Sequence, residues 1–262
     1  MLLFNKGMKY FRVKERGIME TNLELTLSKI QETQSIQEVK YHNDFKKMIF
    51  YKLTEAEFNV FITICFKIKE TNKSEIKISV KEIMSALGVN FNKEYVKLNI
   101  TNLGKKLIQT QIEIESKDVQ GVSNVFTDFL LIDNKENVSI QINKNYLYLF
   151  NDLTTSYTSF ELRKFLEVEG KYTKKFFILI IPFYKTTGWA IFKFEDLKEY
   201  FDFPKGYRDS HILKKIREIK EELSKIDYFK YLNFSLIKEG KKIKNIQFKW
   251  EPIKEIGMEQ TN

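Results

Sequence analysis

Lys214, Lys215, Arg217 and Lys220 cluster on one stretch of chain, and Lys241, Lys242 and Lys244 follow in the run KEGKKIK. Cations held at such spacing neutralise a polyanion, and phosphate oxygens are the acceptors they suit best. A second group, Lys93, Lys97, Asn99, Asn102, Lys105 and Lys106, mixes cations with amides, which can pair with an adenine edge. Lys174 and Lys175 form a third group. Any one of these lysines also fits a solvated helix face, and Gly240-Lys241-Lys242 also fits a soluble turn. Bond-breaking chemistry finds less material. His42 and His211 lie far apart and make no His-x-His metal cluster. Gly104-Lys105 lacks the upstream glycine of a phosphate-cradling loop, which speaks against ATP-driven chemistry. The lone Cys65 offers no zinc spacing, and carboxylate pairs such as Glu221-Glu222 read as solvated helix faces. The expectation is a binding protein with no metal and no cofactor, not an enzyme.

The whole chain agrees with a polyanionic partner: 44 Lys and Arg against 35 Asp and Glu give a formal charge of +9, with an isoelectric point near 9.2. Hydrophobic residues make up 43% of the 262, with 23 Phe and 13 Tyr, enough to bury one large core or two smaller ones. Most of these aromatics fall on the apolar phase of their segment, which makes them core rather than a stacking platform for bases. The apolar run from Phe176 to Phe183 is far short of the ~20 residues that span a bilayer, so no membrane partner is expected. The start MLLFNKGMKYFRVKERG lacks the apolar centre of a secretory signal, and one cysteine forms no internal disulfide. A cytoplasmic protein is expected, starting at Met1, Met8 or Met19.

Periodicity supplies the elements that must position the cations. Residues 1–40 are polar and weakly periodic and read as a flexible arm. LTEAEFNVFITICFKIKE predicts a helix capped by Thr54, with Glu57 three residues on. EIKISV predicts a strand, and Ser79 opens the helix VKEIMSALG, stopped by Gly88. After the turn VNF, Asn92 caps KEYVKLNITNLGKKLIQ, which turns Val96, Ile100, Leu103 and Leu107 toward a core. QIEIES, VFTDFLLID and VSIQIN follow as strands, the last two joined by the turn NKEN. Past the link NDLTTS the order recurs. TSFELRKFLEV predicts a helix from Thr158, and KYTKKFFILIIPFYK a helix kinked or ended by Pro182. WAIFKF is a strand and EDLKEYFDFP a short helix. Ser210 caps HILKKIREIKEELSKI, and YLNFSLI and KNIQFKW close a hairpin.

Helix, strand, helix, helix and hairpin twice over describe an α+β protein of two tandem winged-helix domains, at 41–152 and 157–250, with a tail at 251–262. The charge is unevenly divided: 21 basic against 13 acidic residues over 157–250, but 16 against 14 over 40–152. The second domain therefore carries most of the basic excess, on a candidate reading helix and a wing.

The segments YTSFELRKFLEVEGKYTKKFFILIIPFYKTTG, FEDLKEYFDFP, HILKKIREIKEEL and LIKEGKKIKNIQFKW, preceded by HNDF, LTEAEFNVF, EIKISVKEIMSALGV and VSIQIN, resemble the Rep3-type initiators of theta-replicating plasmids over roughly residues 41–250. The resemblance implies that both domains grip repeated origin sites called iterons, with the reading helices at 93–108 and 210–226. It implies monomers that bind and melt double-stranded origin DNA and recruit the host initiator and replicative helicase machinery. It also implies self-association into dimers that repress their own promoter through an operator. Three positions depart from the family: Glu169-Gly170 replaces a usual Lys-Ser, Lys175 a common Arg, and Lys241 a typical Gly-Arg. A transcriptional repressor without a replication role shares every DNA-binding feature. A nicking or priming enzyme is the third reading, opposed by the missing catalytic clusters.

Overall fold

Thr54 and Glu57 begin the first long helix as their spacing dictates. In the computed structural model, which describes residues 37–49, 52–88, 92–115, 120–184 and 186–251, the Thr54 hydroxyl accepts the Glu57 N–H and the Glu57 carboxylate accepts the Thr54 N–H at 2.7 Å. This reciprocal cap starts α1 (Glu55–Ile68). Ser79 and Glu82 repeat the device at α2 (Val80–Leu87), which Gly88 ends in the left-handed region at φ 74°. Asn92 accepts the N–H groups of Glu94 and Tyr95 to open α3 (Lys93–Leu107). Val96, Ile100, Leu103 and Leu107 are buried along its inner side. Gly104 lies inside α3 because a Cβ there would overlap the Phe129 ring, so the helix can approach the sheet closely.

The strands of this half are β1 (Glu38–His42), β2 (Met48–Ile49), β3 (Glu75–Ser79), β4 (Gln111–Glu115), β5 (Gln120–Asn124), β6 (Phe126–Ile132) and β7 (Asn137–Ile142). They form the sheets β3-β7-β6 and β2-β4-β5. The sheet β3-β7-β6 with α1, α2 and α3 is the first winged helix. The turn joining β6 to β7 holds Asp133, Asn134 and Lys135 at positive φ.

Residues 157–161 overturn one expectation. They do not begin a helix at Thr158 but form β8 (Tyr157–Glu161), antiparallel to β1. Alternation wins over helical spacing there because Thr158 and Phe160 are buried against the first half, Phe160 meeting Tyr41 edge-on at 5.8 Å. The same pairing removes Glu38, Val39 and Lys40 from the expected arm. Residues 1–36 of that arm, the turn VNF and residues 252–262 of the tail lie outside the described residues.

After β8 come α4 (Leu162–Leu166), α5 (Lys171–Ile180) and a 3-10 turn carrying Pro182, the break that proline imposes. Then follow β9 (Trp189–Lys193), α6 (Phe194–Phe201), α7 (Asp209–Leu223) and the hairpin β10 (Asn233–Glu239) with β11 (Lys242–Lys249). β11 lies between β10 and β9. Ser210 is not the cap of α7: Arg208 holds that place without a side-chain bond, and Ser210 lies within the first turn. Ile212, Ile216, Ile219 and Leu223 bury the inner face of α7.

The described residues from Glu38 on form one compact unit. An aromatic path joins the two cores: Phe61, Phe45, Tyr41, Phe160, Phe177 and Phe229 meet in sequence at centroid distances of 4.1 to 5.8 Å. These rings are all but fully buried, so the aromatic content goes into the core. Backbone bonds add to the join, with the Asn43 N–H donating to Ser156 O at 2.7 Å. The Thr158 hydroxyl donates to the side-chain Oδ1 of Asn43 at 2.6 Å.

Candidate nucleic-acid interface

On α7 the inward isoleucines leave Lys214 and Arg217 exposed, with no ion pair among the described residues. Lys215 bonds Glu218 one turn on, and Lys220 is half-buried. Lys205 and Arg208 are exposed just before the helix. The sequence reading passed them over because they follow Pro204 in irregular chain, where no periodicity marks a face. At the wing tip Gly240 takes φ 60° and Lys241 and Lys242 are exposed, while Lys244 pairs with Glu239 at 2.9 Å. Helix and hairpin thus present cations on one winged helix.

The first winged helix differs, because its lysines are largely engaged. Glu136, in the turn before β7, takes Lys93 at 2.7 Å and Lys97 at 3.1 Å. Lys97 also meets Glu94 at 3.4 Å and its side chain is only 12% exposed. Hydrogen bonds from Lys93 and Lys97 hold the Glu136 carboxyl below the usual carboxylate range. Lys105 is exposed and Asn102 half-buried. Asn99 is buried, its amide donating to Tyr95 O at 2.8 Å, so it packs inward rather than facing a base. Lys106 is likewise turned inward, 2.6 Å from the Glu57 carboxylate and 3.0 Å from Lys52 O. Exposed Tyr95 and Leu98 occupy much of the outer face of α3.

Lys174 is a correction. Helical phase on α5 places it fully inside, where its ammonium donates to Phe165 O at 2.8 Å and lies 4.6 Å from the Phe165 ring centre. It meets no DNA in this arrangement. Nearby, Glu55 accepts the Gly170 N–H at 2.8 Å and Glu222 the Glu169 N–H at 3.2 Å. Burial pushes the Lys174 ammonium down to about 8, against the opposing pull of Glu55, Glu222 and Glu169. The unfolded chain therefore keeps this proton up to its ordinary value near 10.5, while the folded chain releases it near 8. Stability should rise with pH across that window, by up to about 3 kcal/mol. Urea unfolding from pH 8 to 10.5 checks this, and Lys174→Met should reduce the rise. Lys175 is half-buried above the Tyr200 ring, and desolvation lowers it also to about 8.

Among the described residues no helix is long and apolar enough to cross a membrane, and no three His, Cys, Asp or Glu side chains gather as a metal site.

Two winged helices in tandem, the second presenting cations on its third helix and wing, define the class: an α+β protein built like DNA-binding winged-helix proteins. Residues 38–181 match the family model described as Initiator Replication protein, WH1; the chain belongs to this family of replication initiators. A curated relative, the probable replication protein rep of Bifidobacterium longum (strain NCC 2705), is 26% identical over 150 residues. That match takes in 53% of this chain and 48% of the relative, so the chain spans about half the relative's length. The Pi initiator protein, crystallised in complex with iteron DNA, superposes with a TM-score of 0.65 at 16% identity, over 83% of this chain and 98% of that one. At that identity the likeness shows the tandem fold.

Proposed function

We propose that this protein starts theta replication of a plasmid by binding iterons in double-stranded origin DNA. It helps to melt the origin, brings in the host initiator and helicase machinery, and as a dimer represses its own promoter. The observation that carries the reading is the cationic surface of α7 and the wing, where Lys214, Arg217, Lys241 and Lys242 have no ion pair among the described residues, in a chain of the initiator family. The engaged lysines of α3 support a division of labour in which the second winged helix supplies most of the grip on phosphates. We read the work as binding without catalysis, in the cytoplasm, with domain limits near 41–152 and 157–250.

The test is footprinting on the DNA flanking the gene, followed by replication from the cloned segment. Regularly spaced protected repeats that support replication are expected. A single protected palindrome at the promoter, with no replication, would make the protein a plain repressor. If ~6 to 10 phosphates are neutralised, affinity should fall ~10³- to 10⁵-fold between 50 and 200 mM salt. A flat salt response would overturn the charge argument.

A further inference from the structure

A small cavity of about 30 Å³ lies where the two winged helices meet, lined by Lys52 and Phe58 from the first and Lys171, Lys175, Phe201 and Asp202 from the second, among others. Its volume is enough for one or two water-sized atoms, such as the non-bridging oxygens of a phosphate whose remainder stays in solvent. Its polar lining residues are three lysines, one aspartate and Tyr172. Lys93, Lys97 and Lys106 each have a glutamate within 3.1 Å. Lys52, Lys171 and Lys175, by contrast, have no ion pair among the described residues. Lys171 and Lys175 instead lie over the rings of Tyr172 and Tyr200, both at 4.8 Å. Buried Phe58 and Phe201 lower the local dielectric, so like charges repel more strongly here than in water. Burial and the neighbouring Lys171 both disfavour the Lys175 cation, while Asp202 favours it. Such a cluster gains when an anion enters it.

The position within the fold says which anion. On one side, Lys106 near the end of α3 donates to Lys52 O at 3.0 Å. On the other, Tyr172 contacts Phe203 at 4.9 Å, Phe203 contacts Tyr207 at 5.9 Å, and Tyr207 contacts His211 in the first turn of α7 at 5.8 Å. The cavity therefore lies between the C-terminal end of α3 and the N-terminal end of α7. A duplex laid across both helices would carry its backbone past this point.

We infer that Lys52, Lys171 and Lys175 form a seat between the domains for one phosphate of the DNA backbone, at the step of the duplex between the segments met by α3 and α7. The seat rests on the initiator reading and deepens it: closing on a phosphate fixes the spacing of the two domains on DNA. Lys175 serves as a phosphate ligand of the bound complex rather than as a reader of bases.

The test uses the full chain on its footprinted DNA, with neutral methylphosphonates placed one at a time along the backbone. One position between the two protected segments should weaken wild-type binding about tenfold, the size of one charge-assisted contact. It should leave the variant Lys52→Gln/Lys171→Gln/Lys175→Met unchanged, and that variant's salt slope should be shallower by about 0.9. Lys171→Gln alone, at an exposed position, tests the seat if the triple variant fails to fold, and Lys175→Arg alone should keep the wild-type response. Equal sensitivity of wild type and variant at every backbone position would overturn the seat. No protected DNA for the wild type would instead overturn the initiator reading itself. Equilibrium dialysis against inorganic phosphate separates the sources. Saturable uptake lost in the variant, with an unchanged methylphosphonate profile, would assign the cluster to free phosphate and overturn the DNA seat.

Discussion

Replacing Lys214, Lys215 and Arg217 together with alanine is expected to weaken binding to the origin repeats by about a hundred- to a thousandfold, with the fold intact. The size follows from three charge-assisted contacts to phosphate or base, each about 1.4 kcal/mol, near the lower limit for hydrogen bonds to charged groups. Three lost phosphate contacts would also make the slope of log affinity against log salt shallower by about 2.7. The fold should survive, because Lys214 and Arg217 point to solvent and alanine is the best helix former. Only the Lys215–Glu218 pair is lost, an exposed interaction of a few tenths of a kcal/mol. Fluorescence anisotropy over a salt series, beside urea unfolding of the same variant, measures both. Unchanged affinity would move the reading surface off α7. Weakening with an unchanged slope would mean that the three side chains act on bases and not on phosphates.

Such a contrast was legible in the sequence for α7 but not for α3. The isoleucines of α7 recur at helical spacing, so the phase of Lys214 and Arg217 is set by local pattern alone. The lysines of α3 have an equally clear phase, yet their partners Glu57 and Glu136 are brought in by tertiary packing from distant chain. Helical spacing says which face a lysine is on, and nothing about a carboxylate delivered by another element. Caps were legible for the same local reason: Thr54 with Glu57, Ser79 with Glu82, and Asn92 each act within three residues. The pairing of β1 with β8 was hidden. Its two strands are over a hundred residues apart, and β8 runs directly into α4, so the two periods blur. In the sequence Lys174 stands beside Lys175 as one of a basic pair, and only its place on the helix turns it inward. Thr173, Phe176, Phe177 and Ile180 are buried around it, and its long apolar stem can follow them inward.

The difference in how the two winged helices engage their lysines has a structural reason. In the first, carboxylates from the cap of α1 and from the β6–β7 turn reach over to α3 and tie the helix to its own domain. Of these lysines Lys106 meets the buried Glu57, and its removal should register in stability before it registers in DNA binding. In the second, Lys214, Arg217, Lys241 and Lys242 have no ion pair among the described residues, so on the proposed reading they are free to exchange their solvent shell for phosphates.

Lys106→Ala should therefore destabilise the protein by about 3–5 kcal/mol while leaving the salt slope of DNA binding unchanged. The Glu57 side chain is 3% exposed, and its companion in the pair is Lys106 at 2.6 Å. Without that ammonium the carboxylate keeps the Thr54 N–H at 2.7 Å but carries an uncompensated buried charge. The Lys52 carbonyl loses its donor as well. Removing both charges, as Glu57→Gln with Lys106→Met, should recover much of the loss, since a matched neutral pair leaves no buried ion. Urea unfolding of the two single variants and the double variant gives the coupling between the sites, expected to exceed 1 kcal/mol for side chains in direct contact. A Lys106→Ala protein of ordinary stability and shallower salt slope would place this lysine on the DNA after all, and would return the whole outer face of α3 to the set of candidate phosphate contacts.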